Sequence, residues 1–198
     1  EALEAQTRAA GRPMPTTWLG WLVLGQFAAG VVIGPLVNLP AAMGEELGWR
    51  GFLLPRLRAA GLSWRGAVLV SGVLWGLWHA PVLLRGYNYP GHPVAGTLLF
   101  IPGCVLLEIP FSYLRIASGS VWTPALAHGS LNAIAPVALL ILRDYNPLWA
   151  GTVVSAVGLG LVGLVGVSLW RSGRLSDWDV RVGLAPPPAA NPADSDKK

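Results

Sequence analysis

Gly44-Glu45-Glu46-Leu47-Gly48-Trp49-Arg50-Gly51-Phe52-Leu53-Leu54 sets two adjacent carboxylates and an arginine inside a strongly apolar part of the chain. An α-helix turns about 100° and rises about 1.5 Å per residue, so Glu46 and Arg50 fall one turn apart on one face, within ion-pairing reach. Glu45 is rotated about 100° from its neighbour and faces elsewhere. The spacing therefore gives one carboxylate to the arginine and leaves the other for chemistry. In a soluble helix such a trio reads as a tether between helices. In a membrane helix, embedded charge is costly and marks function.

Composition favours the membrane. The 198 residues are 53% hydrophobic and 12% charged, with a mean hydropathy of +0.52, whereas soluble domains carry about 25% charged residues. Ten Trp and 25 Gly fit interfacial anchoring and close helix packing. The formal charge of +4 comes almost wholly from arginines at segment ends. That is a topology signal, and with no cluster of basic and aromatic residues no nucleic-acid partner is expected. Cys104, alone in an apolar run, cannot form an internal disulfide. The chain opens on Glu1 without a cleavable signal peptide, so upstream segments are expected to be missing.

Read outward from the motif, Glu1 to Thr17 is a polar arm with Arg8 and Arg12, and Trp18 to Leu39 is a charge-free span closed by Asn38 and Pro40. The motif helix runs from about Ala41 to Arg58, with Pro55 bending or ending it. Further spans are expected at Gly66–Leu84, Val94–Leu114, Ser120–Leu142 and Leu148–Trp170. The loop between the first two carries Tyr87 and Tyr89 as interfacial anchors, His92 in it is solvated, and Arg115 to Gly119 is a short turn. From Arg171 a polar, Pro-rich tail reads as disordered. Placing Arg171, Arg174 and Arg181 in the cytoplasm also brings Arg115, the Arg56–Arg65 loop and the N-terminal arm inside, and leaves only Arg85 and Arg143 outside. The expected fold is thus an all-α polytopic transmembrane helical bundle of about five to six spans: arm 1–17, transmembrane domain 18–170 and cytoplasmic tail 171–198.

Two more polar pairs share helix faces: Trp75 with His79, and His128 with Asn132, each four residues apart. Glu45 lies 13 residues from Arg58, His79 lies 13 from Gly66, and Asn132 lies 12 from Ser120. All three therefore reach roughly 20 Å from the inner boundary of a ~30 Å core. A carboxylate beside a histidine can deprotonate water for attack on a carbonyl. His128 and Asn132 can donate to the oxyanion that forms, with Arg50 holding Glu46. The rival chemistry is a divalent metal such as zinc on Glu45, His79 and His128 with an open position for water, although no His-Glu-x-x-His signature spells out a ligand set. Ser130 sits two residues from His128 on a different face, and Cys104 has no partner nearby, so no serine or cysteine nucleophile is indicated. Glu108, in a span before Pro110, either lines the cavity or makes a structural hydrogen bond.

Glu45-Glu46-x-x-x-Arg50-Gly51, aromatic-x-x-x-His79 and His128-x-x-x-Asn132, in this order, resemble the type II CAAX prenyl endopeptidases and their bacteriocin-processing and abortive-infection relatives. The approach Ser118-Gly119-Ser120-Val121-Trp122-Thr123-Pro124 is similar too, and the likeness runs from about Ala41 to Ala133. The resemblance implies that Glu45 and His79 activate water and that His128 and Asn132 form the oxyanion hole. It leaves open a metalloprotease or a metal-free glutamate mechanism. One departure is visible: the second motif usually begins with Phe, and here it begins with Trp75. The expected function is an intramembrane endopeptidase of the cell membrane, with lipid and a peptide or protein substrate as partners. The alternatives are a transporter using the buried charge pairs, which should show two related halves, and an inactive immunity scaffold, which should have lost a motif residue. Neither mark is present.

Overall fold

The computed structural model describes residues 16–136, 142 and 145–172. The arm with Arg8 and Arg12, Arg143, the tail with Arg174 and Arg181, and most of the span end expected before Leu142 lie outside these residues. The chain forms α1 (Thr16–Val32), α2 (Gly34–Glu46), a π-helical segment (Leu47–Leu53), α3 (Leu54–Ala59), α4 (Trp64–Leu83), α5 (Pro93–Ser118), α6 (Trp122–Ile134) and α7 (Ala156–Arg171). Among the described residues there is no strand, so the fold is all-α as expected.

Two helices are long and apolar enough to cross a bilayer: α4, with 20 residues, and α5, with 26. A third candidate is α1 joined to α2–α3, bent by 47°. The described residues thus give two to three candidate spans against the five to six expected.

Three element boundaries differ from expectation, each for a local reason. The break expected at Asn38 and Pro40 falls at Ile33 instead. Pro35 occupies the first turn of α2, where the missing N–H costs nothing, and the interior Pro40 is carried along. Asn38 Nδ2 bonds back to the Gly34 carbonyl at 3.0 Å. Pro55 likewise sits in the first turn of α3, so it neither bends nor ends the motif helix. Second, α5 continues through Arg115 to Ser118, and left-handed Gly119 (φ 68°) ends it. Arg115 in the last turn meets the negative end of the helix dipole.

Third, the last helix begins only at Ala156, because Gly151 (φ 112°) turns the chain and Ser155 caps α7. Tyr89 Oη pins the turn by donating to the Val154 carbonyl at 2.5 Å. Tyr89 is therefore fully buried and not the interfacial anchor its loop position implied, whereas Tyr87 is exposed. Burial pushes the Tyr89 phenol up.

The site is positioned by two close helix contacts. A Cβ on Gly72 would lie 2.7 Å from Val105 Cα, and one on Gly76 would lie 2.7 Å from Ile101 Cα, so α4 and α5 touch backbone to backbone. A Cβ on Gly129 would lie 2.9 Å from the Pro35 carbonyl oxygen, which brings α6 against α2 immediately after His128. At the opposite end, α4 and α7 meet through Trp64 and Trp170 with ring centroids 4.7 Å apart, and Arg65 lies over both rings.

Candidate active site

The π-helical segment carries the motif's arginine. The N–H of Leu54 reaches back five residues to the Trp49 carbonyl, which widens the turn around Arg50. Such bulges often sit at functional sites. Glu46 closes α2, Arg50 follows in the π turn, and the pairing read from spacing is formed: Arg50 Nη1 donates to Glu46 Oε1 at 2.7 Å, both side chains fully buried.

Arg50 does not stop at Glu46. Its Nη2 lies 2.8 Å from Glu108 Oε2 on α5, a charge contact off the line of an aligned hydrogen bond. Glu108 is fully buried and accepts from Ser112 Oγ at 3.1 Å. It is thus the arginine's second counter-charge. The guanidinium also lies over the Trp75 ring at 4.2 Å and faces Phe111 at 5.0 Å.

From α6, His128 Nδ1 is 2.8 Å from Glu46 Oε1. An ionised carboxylate only accepts, so Nδ1 carries the proton, and Nε2 can donate only when the ring holds both protons. His128 stacks on Phe111 with centroids 5.4 Å apart and meets Trp75 edge-on at 5.6 Å. One turn on, Asn132 is exposed and makes no hydrogen bond to a described residue.

Glu45 faces away from this cluster, as the 100° rotation requires. It is half-buried and accepts one hydrogen bond, from Trp75 Nε1 at 2.8 Å. His79, on the same helix as Trp75, has Nδ1 2.9 Å from the Trp75 carbonyl oxygen. A carbonyl only accepts, so Nδ1 is protonated, and Nε2 of the neutral ring is the free lone pair. His79 is otherwise held by Trp78 and Phe100, each with centroids 4.9 Å away.

The structure therefore brings Glu46, Arg50 and His128 into one buried network, and ties Glu45 to the indole N–H and His79 to the backbone carbonyl of Trp75. Asn132 it leaves unattached. Glu108, expected to line the cavity or make a structural hydrogen bond, and Trp75, expected as the face partner of His79, complete the site. The signal for Glu108 is a carboxylate in an otherwise charge-free span, with Ser112 one turn on. For Trp75 it is an indole N–H, which needs a partner once buried. As for metal, no three His, Cys, Asp or Glu side chains among the described residues converge on a common point. Glu45, His79 and His128 therefore do not form a ready ligand set.

Apolar helices of membrane-spanning length around a buried carboxylate–guanidinium–imidazole centre point to a membrane protein with a buried polar core. The type II CAAX prenyl endopeptidase Rce1-like family matches residues 16–134, more than half of the chain, and the protein belongs to that family. Membership implies peptidase activity of the CAAX-type intramembrane class. No curated protein and no solved structure matches the chain.

Proposed function

We propose that the protein is a multi-pass endopeptidase of the cell membrane that hydrolyses a peptide bond at or within the bilayer, without a metal. Glu45 and His79 activate the water, and His128 with Asn132 holds the oxyanion. The observation that carries this reading is the division between the two adjacent carboxylates. Glu46 is fully buried and its Oε1 is shared by Arg50 and His128 at 2.7 and 2.8 Å, while Glu45 is half-buried and meets only the neutral Trp75 N–H among the described residues.

Each step has a residue suited to it. Glu45 takes one proton from water, and His79 Nε2 accepts the other hydrogen of that water. The resulting hydroxide oxygen bonds to the scissile carbonyl carbon, and the π pair moves onto oxygen. Asn132 and the Nε2–H of doubly protonated His128 donate to that oxygen. Collapse of the intermediate breaks the C–N bond, and the leaving amine takes the proton held by Glu45. The unconverged donor set around Glu45, His79 and His128 supports keeping metal out of this sequence.

The test uses the purified protein in liposomes, with metal content measured on the same sample. Internally quenched peptides with and without a farnesylated cysteine serve as substrates. Wild type is expected to cleave and to survive chelation, while Glu45→Gln stays folded and loses turnover. Residual Glu45→Gln turnover above about a tenth of wild type would move the general-base role elsewhere, since general bases contribute about 10²–10⁴. Loss of activity on chelation, restored by zinc, would return a metal to the mechanism.

A further inference from the structure

Trp75 touches almost every residue of the site. Its indole N–H donates to Glu45 at 2.8 Å, its carbonyl accepts from His79 at 2.9 Å, its ring carries the Arg50 guanidinium at 4.2 Å and its edge meets His128 at 5.6 Å. The side chain is buried, and its helix is locked to α5 through Gly72 and, one residue after Trp75, Gly76. A residue so placed cannot turn without carrying its neighbours.

Resting on the proposed hydrolytic reading, we infer that Trp75 is a positioning residue whose indole N–H sets the orientation of the Glu45 carboxylate for attack. The argument is geometric. Glu45 is the one acidic group of the site without a cationic partner among the described residues, and a glutamate side chain has three rotatable bonds to order. A single donor at Oε2 fixes the plane of the carboxylate and leaves Oε1 as the base. The same residue holds His79 through its carbonyl, so the two groups that share the water are referenced to one rigid point. Phe at this position would keep an aromatic ring beside Arg50 but has no N–H to offer.

Trp75→Phe and replacement of Trp75 by β-(3-benzothienyl)alanine, which puts sulfur where the N–H was, separate this role from packing. The isostere keeps the bicycle and the backbone carbonyl, so it serves even if the phenylalanine variant folds poorly. For both, kcat is expected to fall about ten- to a hundredfold with KM within about twofold, as for a displaced catalytic group. An independent arm needs no substrate: the Trp75 indole N–H resonance in ¹⁵N-tryptophan-labelled protein should move upfield in Glu45→Ala. Isostere turnover within about twofold of wild type would overturn the inference, because misplacement of a reacting group typically costs far more. So would an indole resonance indifferent to Glu45. A wild-type protein that cleaves no peptide would instead sink the hydrolytic reading, while the indole resonance still decides whether Trp75 holds Glu45.

Discussion

Arg50→Ala removes the guanidinium that bridges two fully buried carboxylates, Glu46 at 2.7 Å and Glu108 at 2.8 Å. Breaking a buried pair by deleting one partner costs roughly 3–5 kcal/mol, because the remaining charge is stranded. Glu108 is left without a cation among the described residues, Glu46 keeps only His128, and the contacts to Trp75 and Phe111 are lost as well. The loss should therefore reach the upper part of that range. At about 2–4 °C per kcal/mol for a chain of this size, the melting temperature should drop by roughly 8–20 °C. Protonation of one acid caps the loss, since a buried carboxyl neutralises before it stays charged. The informative variant is therefore Arg50→Ala with Glu108→Gln. If stranded charge is the cause, the added substitution should recover a clear part of the lost stability, although Glu108→Gln alone destabilises. Arg50→Lys should rescue little, because a point ammonium cannot span two carboxylates as the guanidinium fork does. Thermal unfolding in detergent, followed by intrinsic fluorescence, measures wild type and the four variants. An Arg50→Ala protein as stable as wild type, or a double variant no better than Arg50→Ala, would refute the reasoning.

The two proposed oxyanion donors should behave differently. Exposed Asn132→Ala should lower kcat by about 10²–10³ while keeping stability within about 0.5 kcal/mol. His128→Ala should lose rate and also stability, because it withdraws a partner of buried Glu46; kinetics and melting curves on both variants check this. Gly72→Ala and Gly76→Ala each drive a methyl into the backbone of α5, at 2.7 Å from Val105 and Ile101 Cα respectively. Each should cost about 1–3 kcal/mol by overpacking and loosen the α4–α5 contact, visible as a lower melting temperature.

What could be read in advance followed from positions within one helix. The Glu46–Arg50 pair is fixed by i, i+4 geometry alone, and the outward turn of Glu45 by the 100° step, so both were legible. The partner of Arg50 on α5 was not. Periodicity tells which residues share a face, not which faces meet, and Glu108 becomes a counter-ion only because Gly72 and Gly76 let α5 approach. Tyr89 shows the same boundary, since nothing in its loop distinguishes it from exposed Tyr87 until Val154 arrives from far along the chain. Proline misled for a different reason. It punctuates sequences strongly, yet Pro40 is carried inside α2 and Pro55 occupies a first turn where a missing N–H is harmless. The late start of α7 rests on Gly151 and on the cap from Ser155, and a run of Val, Leu and Gly reads as helix throughout.

The adjacent glutamates solve a problem that any buried reactive acid faces. A carboxylate firmly enough held to survive burial is tied up by its partners, and one left reactive is costly to bury. Glu46 takes the first role. Its Oε1 is shared by Arg50 and His128, and through Arg50 it reaches α5, so it joins three helical elements. Glu45 takes the second, with one neutral donor and partial access. Because the two are consecutive, the rigidity that the Glu46 network gives the end of α2 is passed to Glu45 by the backbone without consuming its oxygens. Swapping their environments would undo both roles. A Glu45 paired to arginine would be a weaker base, because the guanidinium favours the ionised form, and an unpaired Glu46 would sit fully buried with no compensating charge.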